Sequence, residues 1–441
     1  MNIGETMHAW ARDLWPINRS LTGPGNRETL AYLAALLPGL RLHSERTGAR
    51  VCDWTIPPEW HCREAWIETE DGRRLCDYAT NNLHLVGYSK AIDRTLSLQE
   101  LMQHVHTIPE QPDHIPYITS YYADNWGFCM SHHDSLALEE GMYRVRIDSE
   151  HSEGSLDYAD LIIPGESTDE ILLSTYICHP SMANNELSGP VVVTALARWL
   201  MSLPRRRYSY RIVFTPETIG AVTYICHNKD MLMDRVVAGY QVTTVGDDRT
   251  YSYVASPYED TVSDTVAKEV MAERGLDYKH YPFLERGSDE RQYCSPGIRL
   301  PIASMCRSKY AEYPEYHTSA DNLTDVVTPS GLMGAFELYK ACLTRLESMD
   351  KIPRQPSRHR VAGCPDATCV GEPQLGRRNL YKSIGHTGGC SDTRMLVNIL
   401  AYCDGSNTLE ELAELTDTTV DVCRRIVELL RRHDLVTDAI A

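Results

Sequence analysis

No run of about 18 apolar residues occurs in the chain, and Met1 to Ala11 shows no basic stretch leading into an apolar one. Membrane spanning and secretion are therefore without support, and a cytoplasmic location is the expectation. Positive charge is scarce too: 43 Lys and Arg face 61 Asp and Glu, a formal net charge of −18. That balance argues against a general binder of nucleic acid or anionic membranes. Familiar catalytic signatures are also missing: there is no Gly-x-Gly-x-x-Gly, no Walker-type phosphate loop, no His-Glu-x-x-His and no Gly-x-Ser-x-Gly.

What is present is an ordinary globular composition, 42% hydrophobic and 24% charged, over 441 residues. This length suits about three domains. Fourteen cysteines could build a disulfide framework in a secreted chain; without a signal peptide they read as reduced thiols. Cys364 and Cys369, with His359, His386 and Cys390, fit no compact zinc-finger spacing.

Residues 5–36 read as one or two helices broken at Asn18-Arg19-Ser20-Leu21-Thr22-Gly23-Pro24-Gly25, with Asn26 capping the second. From 51 to 153, short β-like segments carry Trp54, Trp60, Trp66, Tyr78, Tyr88, Tyr117, Tyr121, Tyr122 and Trp126, the pattern of a separate β-rich unit. Beyond Asp160, strands alternate with helices, which predicts an α/β sheet covered on both faces. The polar stretch 357–389 reads as a linker. Three helices follow, and Leu435-Val436 could open a hairpin, so residues 375–441 suggest a winged helix. With 8 Lys or Arg against 10 Asp or Glu from Leu375 to Ala441, that module reads as a packing or partner-binding unit, with no nucleic acid expected.

The densest chemistry lies in Cys178-His179-Pro180-Ser181-Met182-Ala183-Asn184-Asn185-Glu186-Leu187-Ser188-Gly189. Open α/β sheets build their sites in loops that leave the carboxyl ends of strands, where His179 falls. The next strand ends at Glu217, a carboxylate placed to act as a general base. Its plain alternative is a helix N-terminal acid. Ser288-Asp289-Glu290 and the tract Tyr313 to Asp321, which contains His317, add two further polar clusters. Cys178 is adjacent to His179, but strand alternation points neighbours to opposite faces, so direct pairing is not expected. Arg19 could meet a substrate carboxylate or form a structural ion pair. Trp54, Trp60, Tyr121, Tyr122, Trp126, His132 and His133 could cover the pocket, although aromatic residues in such a unit are more often core; the unit itself reads as a substrate lid or a contact in a homo-oligomer.

In order and spacing these motifs resemble the zinc aminopeptidases, especially a bacterial branch with an inserted β domain and a C-terminal winged helix. The resemblance implies an aminopeptidase-like mixed α/β sheet with flanking helices, built from 1–50 and 154–356. It implies His179 and His317 as metal ligands and Asn185 at the position of a bridging Asp. Glu217 takes the place of the catalytic base, with Thr218 where a second-metal Glu is usual. No carboxylate ends the strand before Asp247, so a second metal site reads as dismantled. One zinc ion on His179, Asn185 and His317 is the expectation, with Asp289 or Glu290 engaging the ammonium of a small amide or peptide substrate. A ligand-binding or regulatory protein on a degenerate fold, or an amide-processing enzyme of a biosynthetic pathway, is the alternative.

Overall fold

The computed structural model describes residues 2–355, 358–380 and 391–440. Eight strands form the main sheet: β1 (Arg41–Arg46), β2 (Ser155–Ile163), β3 (Glu170–Tyr176), β4 (Ser209–Thr215), β5 (Val236–Gln241), β6 (Tyr251–Val254), β7 (Tyr278–Tyr281) and β8 (Ile302–Cys306). Their order in space is β1-β2-β4-β3-β5-β8-β6-β7. β3 runs parallel to β4 and β5, and β5 to β8, whereas β1, β2 and β4 pair antiparallel. β3, β4 and β5 are buried at every position, because helices cover both faces; their apolar runs therefore do not alternate with polar residues.

Ile171 and Leu173 pack in the cluster that includes α1 (Ile3–Leu14), α3 (Ser188–Ser202), α5 (Val262–Glu273) and α6 (Pro329–Ser348). Leu172 faces the opposite cluster with Ile219, Tyr224 and Ile225 of α4 (Ile219–Arg235), as the two-residue period of a strand requires. α2 (Pro24–Leu36) follows the break near Gly23. Asn26 does not cap it: Pro24 occupies the first turn, Gly23 is the cap residue, and the Asn26 amide instead bonds Ser20 N–H and O. A proline pre-set for the first helical position outweighs the local preference of an asparagine two residues later.

Between β1 and β2 the chain builds a second sheet of strands 59–69, 74–75, 92–97 and 142–152. Trp60, Tyr88, Trp126 and Phe128 are buried in its core.

The C-terminal helices are α7 (Ser391–Ala401), α8 (Leu409–Leu415) and α9 (Val420–Arg432), with Thr408 and Glu411 forming a capping box. The expected hairpin after α9 is not made. Val436–Asp438 pairs antiparallel with Pro365–Ala367, from within the stretch read as linker. His386 and Cys390 lie outside the described residues.

Candidate active site

β3 ends at Tyr176, and Ile177-Cys178-His179 leave the sheet as irregular backbone. The loop returns as a π-helical turn, Ala183–Leu187, that runs into α3. Gly189 makes this junction possible: a Cβ there would sit 2.3 Å from Thr175 Oγ1 and 2.5 Å from the Val242 carbonyl oxygen. Asp321 fastens the turn from the far side by accepting the backbone N–H groups of Asn184 and Asn185 at 2.7 and 2.9 Å.

His179 is buried, and its two nitrogens have different partners. Nδ1 lies 2.7 Å from Glu186 Oε2, and Nε2 lies 3.5 Å from Glu217 Oε2. Burial pulls the imidazole down, but Cys178 and Glu186 more than offset it, so His179 is held well above its ordinary value. Burial also pushes the Cys178 thiol up to about 11 and raises the Glu186 carboxyl above its ordinary value. Glu186 in turn meets Arg19, whose Nε is 4.0 Å away and donates to the His179 carbonyl. Arg19 is therefore a buried structural cation.

Cys178 Sγ lies 3.5 Å from His179 Nδ1 and accepts the Glu217 N–H at 3.2 Å. The opposed orientation expected from strand alternation does not apply, because both residues lie past the end of β3. Cys178, His179 and Glu186 bring their ligand atoms within 4.8 Å of one another, but Nδ1 is already bonded to Glu186, so this cluster orients the ring and leaves Nε2 for chemistry.

Glu217 ends the loop after β4, and burial raises its carboxyl above the ordinary range against the opposing pull of His179. Thr218 has φ +63°, costly backbone for a β-branched residue, and its N–H donates to Asp289 Oδ1 at 2.7 Å. His317 also has positive φ, +56°; its ring centroid is 5.7 Å from that of His179, with Tyr117 within 5.2 Å of both. Asn185 holds both amide atoms buried with no hydrogen-bond partner. Imidazole nitrogen and amide oxygen are donor types that a zinc ion accepts.

A cavity of about 220 Å³ opens beside His179 and Glu217 and is lined also by Trp54, Tyr121, Tyr122, Cys178 and Thr218. Neither Asp289 nor Glu290 lines it. Asp289 supports the Thr218 peptide, while Glu290 Oε1 accepts the N–H groups of Gly287 and Ser288 and the Tyr310 hydroxyl. Of the other residues expected over the pocket, Trp60 and Trp126 are core, and His132 and His133 bond Thr107 and Asp113 instead. Asp247 is spent structurally, accepting from Ser308, Asn184 and Arg249. Glu186 and Asp321 were visible in the quoted tracts as carboxylates, but their roles depend on contacts that the loop makes only when folded.

Residues 8–349 match a family described as "Domain of unknown function (DUF4910)", more than half of the chain. The chain belongs to this family. Residues 364–438 match a winged helix-turn-helix family. Within reach of the DUF4910 chain stands a Clostridium acetobutylicum protein, named as a candidate polysaccharide biosynthesis protein with an aminopeptidase-like domain. It is 38% identical over 413 residues, 93% of this chain and 91% of its own. The crystal structure of a candidate peptidase from the same organism superposes with TM-score 0.76 at 35% identity, over 99% of this chain and 96% of its own. A zinc aminopeptidase from Bacillus subtilis shares the fold, with TM-score 0.58 at 13% identity over 80% of this chain and 96% of its own. The α/β domain of this DUF4910 protein is thus an aminopeptidase-like fold followed by a winged helix.

Proposed function

We propose that the protein is an amide hydrolase of the aminopeptidase type, acting on a small amide or peptide with one zinc ion on His179, Asn185 and His317. The observation that carries this reading is the approach of Glu217 to His179 Nε2 at 3.5 Å, with both side chains on the wall of one cavity. A bound zinc ion supplies Lewis acidity at the scissile carbonyl. Glu217 takes a proton from the attacking water as its oxygen bonds to the carbonyl carbon, and delivers that proton to the amine as the C–N bond breaks. Its raised carboxyl pKa suits it to hold the proton between the two steps. Glu186 fixes the ring of His179, and Asp289 holds the Thr218 peptide in its left-handed conformation.

The described cysteines are all thiols, which supports a reducing, cytoplasmic setting. The name of the Clostridium relative favours a second reading, an amide-processing enzyme of polysaccharide biosynthesis in which an amine replaces water as the acceptor. A third reading, a ligand-binding or regulatory protein, draws on Thr218 and Asn185 standing where carboxylates are usual.

The test is metal content together with turnover on aminoacyl amides and dipeptides. Protein purified without added zinc should carry about one zinc ion per chain, and Glu217→Gln should keep it while losing about 10²- to 10⁴-fold in kcat. Full activity in that variant refutes the mechanism. Absence of metal, with no turnover recovered on adding it, moves the assignment to binding.

A further inference from the structure

The cavity beside Glu217 owes its far wall to the inserted unit. Trp54 and Tyr122 stand with ring centroids 6.1 Å apart, tilted by 55°, and the Tyr122 hydroxyl donates to the Thr55 carbonyl at 2.9 Å. Neither ring is fully in the core: Trp54 is half-buried, and Tyr122 is 47% exposed. An apolar cavity of roughly 150 Å³ holds a benzene molecule, so about 220 Å³ accepts one ring with its attachment.

Trp54 is also fixed from behind. Its indole N–H donates to the Glu372 carbonyl at 2.8 Å, in the segment of the winged-helix region between strand 365–367 and α7. The preceding residue, Asp53, is 8% exposed and accepts the Gln374 N–H at 2.9 Å and Arg378 at 2.5 and 2.8 Å, together with Arg377. The Glu372 carboxylate pairs with Arg291 Nε at 2.6 Å, two residues from the Asp289 that supports Thr218. One short segment therefore holds both the aromatic wall and the loop behind the candidate base.

We propose that Trp54, with Tyr122, is a specificity-determining wall that accepts the apolar face of a six-membered ring adjoining the scissile amide, and that residues 371–378 are its positioning element through Asp53 and Glu372. This assignment rests on the hydrolase reading for the location of the scissile bond. The ring chemistry is shared by an aromatic side chain and by the C–H face of a sugar, both of which stack on indole and phenol rings.

Calorimetric titration of the full chain carrying Glu217→Gln, which does not consume the amides, tests it without turnover. The probes are L-phenylalaninamide, N-acetylglucosamine and, as the ringless control, L-alaninamide. One of the two ring probes should bind at least tenfold more tightly than L-alaninamide, and which one it is identifies the source of the ring. Trp54→Ala should abolish the difference, and Trp54→Phe should keep most of it. Asp53→Asn, which leaves Arg377 and Arg378 without their carboxylate, should lower Tm and reduce the difference, and Asp53→Glu should restore the difference. Equal binding of all three probes, no binding of either ring probe, or a difference that survives Trp54→Ala overturns the proposal. Loss of turnover in assays with ring discrimination intact would instead sink the hydrolase reading alone.

Discussion

Glu186 decides which nitrogen of His179 faces the cavity. By accepting at Nδ1 it directs Nε2 toward Glu217, the arrangement in which a carboxylate behind an imidazole fixes its tautomer and raises its basicity. Glu186→Gln keeps a hydrogen-bonding partner but removes the charge, and it also leaves Arg19 buried without its carboxylate. Zinc affinity should fall by about 10- to 100-fold, measured by competition with a chelating dye, and in the zinc-free proteins the His179 imidazole should titrate lower than in the parent, measured by NMR. Unchanged zinc affinity would show that Glu186 serves Arg19 alone. At this scale, His179 and Glu217 were legible because each follows a run of buried strand residues, where a polar side chain has little other reason to stand. The positions of Cys178 and Glu290 were not legible. Alternation predicts side-chain direction only while the strand lasts, and Cys178 lies two residues past the end of β3. A cluster of neighbouring acids does not reveal that one of them will be consumed by its own loop's N–H groups.

The junction of β3, the π-helical turn and α3 is the element on which the site depends. Gly189→Ala places a methyl group against Thr175 Oγ1 and the Val242 carbonyl oxygen, and neither the strand backbone nor a buried threonine can yield without moving the helix. The expected loss of stability is about 1–3 kcal/mol, read from urea unfolding. Because α3 begins just after Asn185, displacement by about 1 Å should lower kcat by about 10²-fold, a larger effect than on KM. A variant with parental stability and kcat would show that α3 can withdraw freely. The order of strands and helices in the α/β domain was legible from fully apolar runs and capping residues. The pairing of Val436–Asp438 with Pro365–Ala367 was not, because three-residue strands carry almost no pattern and their partners lie some seventy residues apart. The second sheet was announced by its tryptophans and tyrosines, but which of them would be core and which would line the cavity depends on how that sheet meets the main one.

Across the whole molecule, a buried ionic network ties the edge of the main sheet to α4, the helix that begins just after Glu217 and Thr218. Asp160 on β2 accepts from Arg41 and His43 of β1, from Arg211 of β4 and from the Tyr224 hydroxyl of α4, while Arg211 also grips Glu170 of β3 at 2.5 and 2.9 Å. Burial pushes the Asp160 carboxyl up, but the hydrogen bonds from His43, Arg41 and Tyr224 outweigh it and hold the group below the usual carboxylate range. A carboxylate whose folded-state pKa is depressed contributes stability above its unfolded value of about 3.9, and this contribution disappears as pH falls through the folded value. Asp160→Asn should therefore be less stable than the parent at pH 7 by about 3 kcal/mol, the lower end for removing one partner of a buried ion pair. The gap should narrow progressively below about pH 4, as the parent's Asp160 takes up its proton. Urea unfolding of both proteins at pH 7, 5 and 3 reads this directly. An equal gap at all three pH values would mean that the aspartate acts through packing and neutral hydrogen bonds, leaving Arg211 and Glu170 to join the sheet without it.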